Sequence, residues 1–251
     1  MKALTANQLS KRYEGLHALR EIDLEVEPGE CRVIIGPNGA GKTTLFHVLS
    51  GITPPTSGRI FLYGEEITHS PDYVRAGKGL ARTFQVSSLF RRLTVEQNVL
   101  LAVQPAHAAF AMHRPATSYG PAMARVDEVL EVGGLAAKRG VQARHLSHGE
   151  QRQLEVMLAL SGQPKVVLLD EPTAGLSEGE RKSMTAFLQK LRGAVTIVLV
   201  SHDVDVAFDL ADRITVLHLG EALVEGTPET VRRDERVSQI YLGTEAEQAR
   251  A

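Results

Sequence analysis

The stretch "CRVIIGPNGAGKTT", residues 31–44, decides the reading of the fold. Its first five residues, Cys31 to Ile35, show no apolar–polar alternation, as expected of a central strand covered on both faces. Glycines follow at positions 36, 39 and 41, and then come a lysine and two threonines. Residues without a Cβ adopt positive φ at little cost and let the backbone approach a ligand closely. Such a turn gathers backbone N–H groups on one point, and a helix N-terminus behind it adds a dipole that favours an anion.

The spacing Gly36-x4-Gly41-Lys42-Thr43 matches the P-loop, where the lysine reaches the β- and γ-phosphates and the hydroxyl ligates Mg²⁺. The context agrees with that reading. A strand-like run precedes the motif, and the helical segment "TTLFHVLSG" follows it, closed by Gly51 near its C-cap. Phosphate binding therefore outweighs a bare glycine turn.

Bulk properties narrow the setting. The 251 residues suffice for one large domain or two small ones with an ample core. With 43% apolar and 23% charged residues and no tryptophan, the composition is that of an ordinary soluble globular protein. Apolar runs such as "VVLL" and "TIVLV" are far too short to span a bilayer, and "MKALTANQLSKRYEG" lacks the apolar core of a secretory signal. A net charge of −2 argues against the basic footprint of a nucleic-acid binder. One cysteine, Cys31, excludes an internal disulfide, fits a reducing cytosol, and reads as an inert core thiol within its apolar run.

Along the chain, "IDLEVEP" alternates Ile22, Leu24 and Val26 as a half-buried strand that Pro28-Gly29 ends, and "GRIFLYG" returns as another. Later come "KVVLLDEP", "AVTIVLVSH" and "DRITVLHLG", separated by helical stretches such as "SEGERKSMTAFLQKLRG". Strands alternating with helices predict an α/β core with a parallel sheet. Residues 90–163 differ, since "LTVEQNVLLAV" and "AMARVDEVLEVGGL" carry apolar residues at helical spacing around a Pro- and Ala-rich surface loop. They read as a helical lobe inserted into a catalytic core of residues 1–89 and 164–235. The polar tail "TEAEQARA", residues 244–251, is expected to fray.

Two further motifs carry chemistry. "KVVLLDEP" sets Asp170 and Glu171 at the carboxyl end of a buried strand, the edge where open parallel sheets bind ligands. Asp170 suits the outer shell of a Mg²⁺ ion, which keeps waters and takes one or two carboxylates, and Glu171 suits a water-polarising base. A solvated acidic turn would be the reading were there no P-loop. In "ARHLSHGEQRQLEVMLAL", Ser147 and Gly149 stand at the start of an amphipathic helix, a place for a second phosphate contact.

The ordered set "GPNGAGKTT", "FQ", "LSHGEQ", "VVLLDEP", "AGLS" and "SH" resembles the nucleotide-binding subunit of ATP-binding-cassette (ABC) transporters, from Tyr13 to about Gly243. The signature "LSHGEQ" is diagnostic in a way the P-loop is not. The resemblance implies one ABC ATPase domain over residues 1–243: a P-loop NTPase with a RecA-like parallel-sheet core, an antiparallel β subdomain and an inserted α-helical subdomain. It implies that Tyr13 stacks on adenine and that Gly36, Pro37, Asn38, Gly39, Ala40, Gly41, Lys42, Thr43 and Thr44 cradle the phosphates of ATP. Gln85, in "RTFQVSSLF", matches the glutamine that senses Mg²⁺ and the transmembrane partner. Ser147, Gly149 and Gln151 match signature positions. Asp170 and Glu171 match the metal-shell and catalytic carboxylates, and His202 the switch histidine at the γ-phosphate.

The family implies partners as well: a second cassette packed head to tail, two transmembrane permease subunits at the cytoplasmic face of the inner membrane, and, indirectly, an extracytoplasmic solute-binding protein. "GLARTFQVSSLFRRLTVEQNVLLA", "PTAGLSEGE" and "GTPETVRRDERVSQIYLG" are similar to the importer class for branched-chain amino acids and related polar solutes such as urea. An exporter ATPase, for example for envelope lipid, is the alternative; a soluble ABC ATPase fits less well, because no second cassette or long coiled coil is present. His148 replaces a common glycine of the signature, and Ser177 stands where many members carry aspartate. His145 and His148 lack a third ligand in view for a metal.

Overall fold

The computed structural model describes residues 1–83, 89–103 and 120–248. Its strands are β1 (Leu4–Tyr13), β2 (Leu16–Val26), β3 (Cys31–Ile35), β4 (Ser57–Leu62), β5 (Glu65–Glu66), β6 (Leu80–Arg82), β7 (Val166–Asp170), β8 (Thr196–Val200), β9 (Arg213–His218) and β10 (Glu221–Gly226). Its helices are α1 (Lys42–Ser50), α2 (Asp72–Gly77), α3 (Val95–Val103), α4 (Gly120–Val132), α5 (His148–Ser161), α6 (Glu178–Leu191), α7 (Val204–Leu210), α8 (Pro228–Arg232) and α9 (Glu235–Gln248). The last helix takes in residues 244–248 of the polar tail.

The strands form two sheets, ordered β2-β1-β4-β5 and β10-β9-β3-β8-β7-β6. The first is antiparallel; in the second, β9, β3, β8, β7 and β6 run parallel and β10 adds an antiparallel edge. Every residue of β3, β7 and β8 is buried, which is why their sequences show apolar runs instead of alternation. The two faces belong to two cores. Val33, Val167 and Leu199 face the helical side, while Ile34, Leu168 and Val198 face the first sheet across α1, whose Leu45, Phe46 and Leu49 fill the space between the sheets. Arg32 is the polar exception within β3; its guanidinium is buried and paired with Glu30 and Glu225.

Between β6 and β7 the described elements are all helical. Val95 and Val99 of α3, Val126 and Leu130 of α4, and Leu154 and Met157 of α5 share one core with the helical side of the sheet. Close packing fixes the turn after α4: a Cβ at Gly133 would fall 2.1 Å from Met157 Sδ. In the parallel sheet, Ile34, Val200 and Asp170 stand in one row across β3, β8 and β7. The segments that leave these strands therefore emerge side by side along one edge.

Candidate nucleotide site

The site begins where β3 gives out. Gly36 carries φ +152°, and a Cβ there would lie 2.2 Å from the Leu217 carbonyl oxygen; one at Gly41 (φ +105°) would lie 2.7 Å from that of Ala18. Both positions are closed to any side chain. Gly41 is also the N-cap of α1, where no side chain caps the helix and no acid occupies the first turn. The first-turn amides keep their donors for an incoming anion. Thr43 is exposed at the same helix start.

Lys42 is buried and donates from Nζ to the carbonyl oxygens of Gly36 at 2.7 Å and Pro37 at 3.0 Å. Burial lowers its pKa, and the charges of Glu171 and Asp170 oppose that shift. β3 and β7 flank β8 in parallel, so the P-loop and the two carboxylates leave the sheet at the same edge. Tyr13, 42% exposed, ends β1 with the Lys11 ammonium 4.9 Å above its ring. Its hairpin partner is Leu16, two residues before the Ala18 carbonyl that meets the P-loop.

At the neighbouring strand end, Asp170 is buried and its Oδ2 accepts from Arg82 Nη2 at 3.0 Å. Arg82 also donates to Ser50 Oγ at 2.9 Å and stacks over the Phe46 ring; burial lowers its pKa, with Asp170 opposing. Glu171, next in the chain, takes a left-handed φ of +47° and donates its N–H to the Val200 carbonyl at 3.0 Å. A non-glycine residue in that region is strained and persists only where its surroundings over-determine it. One determinant is Arg152 of α5, which donates from Nη2 to the carbonyls of Asp170 at 2.8 Å and Glu171 at 3.0 Å. The Glu171 carboxylate stays 40% exposed and lies 3.3 Å from Nδ1 of His202, itself 55% exposed two residues past the end of β8.

The signature forms the start of α5. Ser147 is its N-cap, with Oγ accepting from the Glu150 N–H at 3.3 Å while the Glu150 carboxylate accepts from the Ser147 N–H at 3.0 Å. Gln151 is used structurally, donating Nε2 to the Leu146 carbonyl at 3.0 Å. The Gly149 N–H donates to Glu180 Oε1 at 2.8 Å. Ser177, N-cap of α6, donates to the same carboxylate from its N–H at 3.2 Å and its hydroxyl at 2.8 Å. Among the described residues no group of three or more His, Cys, Asp or Glu side chains is placed to hold a metal ion.

These donors, Gly149 first and then Ser177 and the Ser147 hydroxyl, hold the Glu180 carboxyl at about 2, below its ordinary 4.5. A depressed pKa stabilises the fold fully above the ordinary value, and the contribution is lost as pH falls through the folded one. Thermal melts from pH 5 to pH 2 are therefore expected to fall more steeply for the parent than for Glu180→Gln; equal slopes would remove Glu180 from the acid response.

Of the residues expected from the sequence, the structure gathers Lys42, Asp170, Glu171 and His202 at one edge. Ser147, Gly149 and Gln151 sit at the start of α5, joined to that edge through Arg152. Gln85 lies outside the described residues. Arg82, Arg152 and Glu180 were not expected.

A family model described as ABC transporter matches residues 19–174. The chain belongs to the ABC transporter family. This cassette is 38% identical over 248 residues to the high-affinity branched-chain amino acid transport ATP-binding protein LivG of Escherichia coli (strain K12), covering 96% of this chain and 97% of LivG. It is 32% identical over 244 residues to the lipopolysaccharide export system ATP-binding protein LptB of the same strain, covering 97% of this chain and 98% of LptB. Among solved structures it resembles an ATP-binding cassette of an ABC transporter in its ADP conformation, with a TM-score of 0.86, 26% identity and coverage of 97% and 99%. It also resembles a dimeric cassette in a post-hydrolysis state bound to ADP and Pi, with a TM-score of 0.73, 27% identity and coverage of 90% and 98%. The cassette is an ATP-hydrolysing subunit of a transporter.

Proposed function

We propose that the cassette drives uptake of a branched-chain amino acid or a related small polar solute. The observation that carries this reading is its 38% identity to LivG over nearly the whole of both chains. In this reading the solute reaches two permease subunits from an extracytoplasmic binding protein, and the cassette works from the cytoplasmic face of the inner membrane. Among the described residues no helix is long and apolar enough to cross a membrane.

The residue roles in this proposal are those that membership of the family implies. Tyr13 offers its ring to adenine, residues 36–44 hold the phosphates, and Lys42 neutralises charge that develops in the transition state. The Thr43 hydroxyl and the Asp170 carboxylate are hard oxygen donors of the kind Mg²⁺ takes, sparing in number because the ion keeps waters. Mg²⁺ would supply charge neutralisation across the phosphates. Glu171 orients and deprotonates water, with His202 beside it, and Gln85 reports to the permease.

Ser147 and Gly149 belong to the helical lobe, and in this proposal they act in trans. Two cassettes pack head to tail, and each γ-phosphate lies between one P-loop and the partner's signature. ATP favours the closed pair by differential contacts, and its cleavage removes them.

Reconstitution with its permease subunits and binding protein tests the reading. Solute-loaded binding protein is expected to stimulate ATP hydrolysis and to load vesicles whose ATPase face is outward. The 32% identity to LptB supports the opposite direction of transport as the second reading. Lipid-stimulated hydrolysis that ignores every binding protein would favour export.

A further inference from the structure

We propose that Glu180 is a positioning residue of the composite ATP site: its carboxylate fills the phosphate donors of the signature from within the chain, and pairing exchanges it for the γ-phosphate held by a partner copy. This rests on the head-to-tail pairing proposed above.

The contact is specific. Gly149 is the second residue of α5, and its N–H is one of the donors that a helix start leaves without an intrahelical partner. In this chain that N–H is already committed, at 2.8 Å, to Glu180 Oε1. The approach depends on glycine, since a Cβ at position 149 would stand 2.8 to 3.0 Å from Cβ, Cγ and Cδ of Glu180. The neighbouring acid, Glu150, is spent elsewhere, on the Ser147 N–H and on Lys138. Ser177 holds the second oxygen of Glu180 through its N–H and hydroxyl, so the carboxylate is fixed from the α6 side.

One N–H has one proton to give. A phosphate that takes the Gly149 donor must displace Glu180 or share it, and sharing sets two anions at one helix end. Until then, the carboxylate keeps the helix start satisfied and correctly aimed. Because α6 follows Glu171 through the short loop 172–177, release of Glu180 also frees the segment next to the catalytic carboxylate.

The test uses Glu180→Gln, which keeps a side chain able to complete the cap while removing the charge. First, the amide resonance of Gly149 is followed by NMR in the full chain during titration with inorganic phosphate. In the parent it is expected to stay fixed, and in Glu180→Gln to shift saturably; equal responses overturn the proposal. Second, pairing at rising MgATP is measured by sedimentation in a Glu171→Gln background. Adding Glu180→Gln is expected to lower the half-pairing ATP concentration by about tenfold, within the ~5–150-fold range usual for coupled sites. A merely structural role would raise that concentration, and such a rise overturns the proposal. Glu180→Ala, which also removes the cap, is expected to lower the midpoint in the same direction while melting earlier. Failure of every variant to pair overturns self-pairing of this chain, while the Gly149 resonance still decides the role of Glu180.

Discussion

Glu171→Gln is expected to slow ATP hydrolysis by about 10²–10⁴-fold, the usual contribution of a general base, while leaving ATP binding intact. That loss corresponds to roughly 3–5.5 kcal/mol of barrier, at about 1.36 kcal/mol per factor of ten. The geometry supports so large a share. Glu171 is held at φ +47°, its N–H on the Val200 carbonyl and its own carbonyl on Arg152, and its carboxylate remains open to water. The amide replacement preserves size and the backbone contacts but accepts no proton at neutral pH. Lys42 and the loop amides are untouched, so nucleotide affinity measured by titration should not change. Single-turnover phosphate release separates the two quantities. The same variant is expected to sediment as a dimer at saturating ATP. Hydrolysis at the parent rate would remove Glu171 from the role of base, and monomers at saturating ATP would argue against self-pairing.

How much of this was legible before folding depends on where each interaction is encoded. The strand, turn and helix of the P-loop are written within residues 31–51, each with its own local signal, and the structure places β3 and α1 there. The same holds for β7 and its two carboxylates. The first sheet was only half legible. In β2 the alternation of Ile22, Leu24 and Val26 is visible, but the strand continues back to Leu16 through Glu21, which sits at φ +48°. β1 carries no clean alternation for the same reason: Gln8, at φ +49°, shifts the buried positions from Ala6 to Leu9 and breaks the period of two. That irregularity is itself a tertiary fit, since a Cβ at Gly58 would lie 2.4 Å from the Gln8 carbonyl oxygen. Arg82 meets Asp170 from 88 residues away, and Glu180 meets Gly149 from 31. No local period encodes such pairs. They exist because β6 lies beside β7 and because the first turns of α5 and α6 meet.

Arg75 carries the other large expected effect, on stability. It lies on α2 with 1% of its surface exposed, and among the described residues it forms no ion pair with a carboxylate. Its guanidinium instead donates to four carbonyls: Ser70 at 2.8 Å, Val48 at 2.9 Å, Leu49 at 2.6 Å and Thr68 at 2.9 Å. Two of these belong to the last turn of α1, the negative end of the helix whose first turn follows the P-loop glycines. Burial pushes its pKa down to about 10, so it remains charged at neutral pH. Arg75→Met keeps much of the stem and strips every donor, leaving Val48 with only the Gly51 N–H and taking the guanidinium donor from Leu49, Thr68 and Ser70. Lost charged hydrogen bonds and orphaned acceptors of this kind cost about 3–5 kcal/mol, a drop of about 10–15 °C in Tm for a domain of this size. Lysine should not rescue it, because a single ammonium cannot span acceptors arranged around a planar fork. Thermal melts of the two variants against the parent decide the matter. A methionine variant that melts with the parent would mean that water or a shifted backbone serves those carbonyls, and that α1 is anchored from its phosphate end and its apolar face alone.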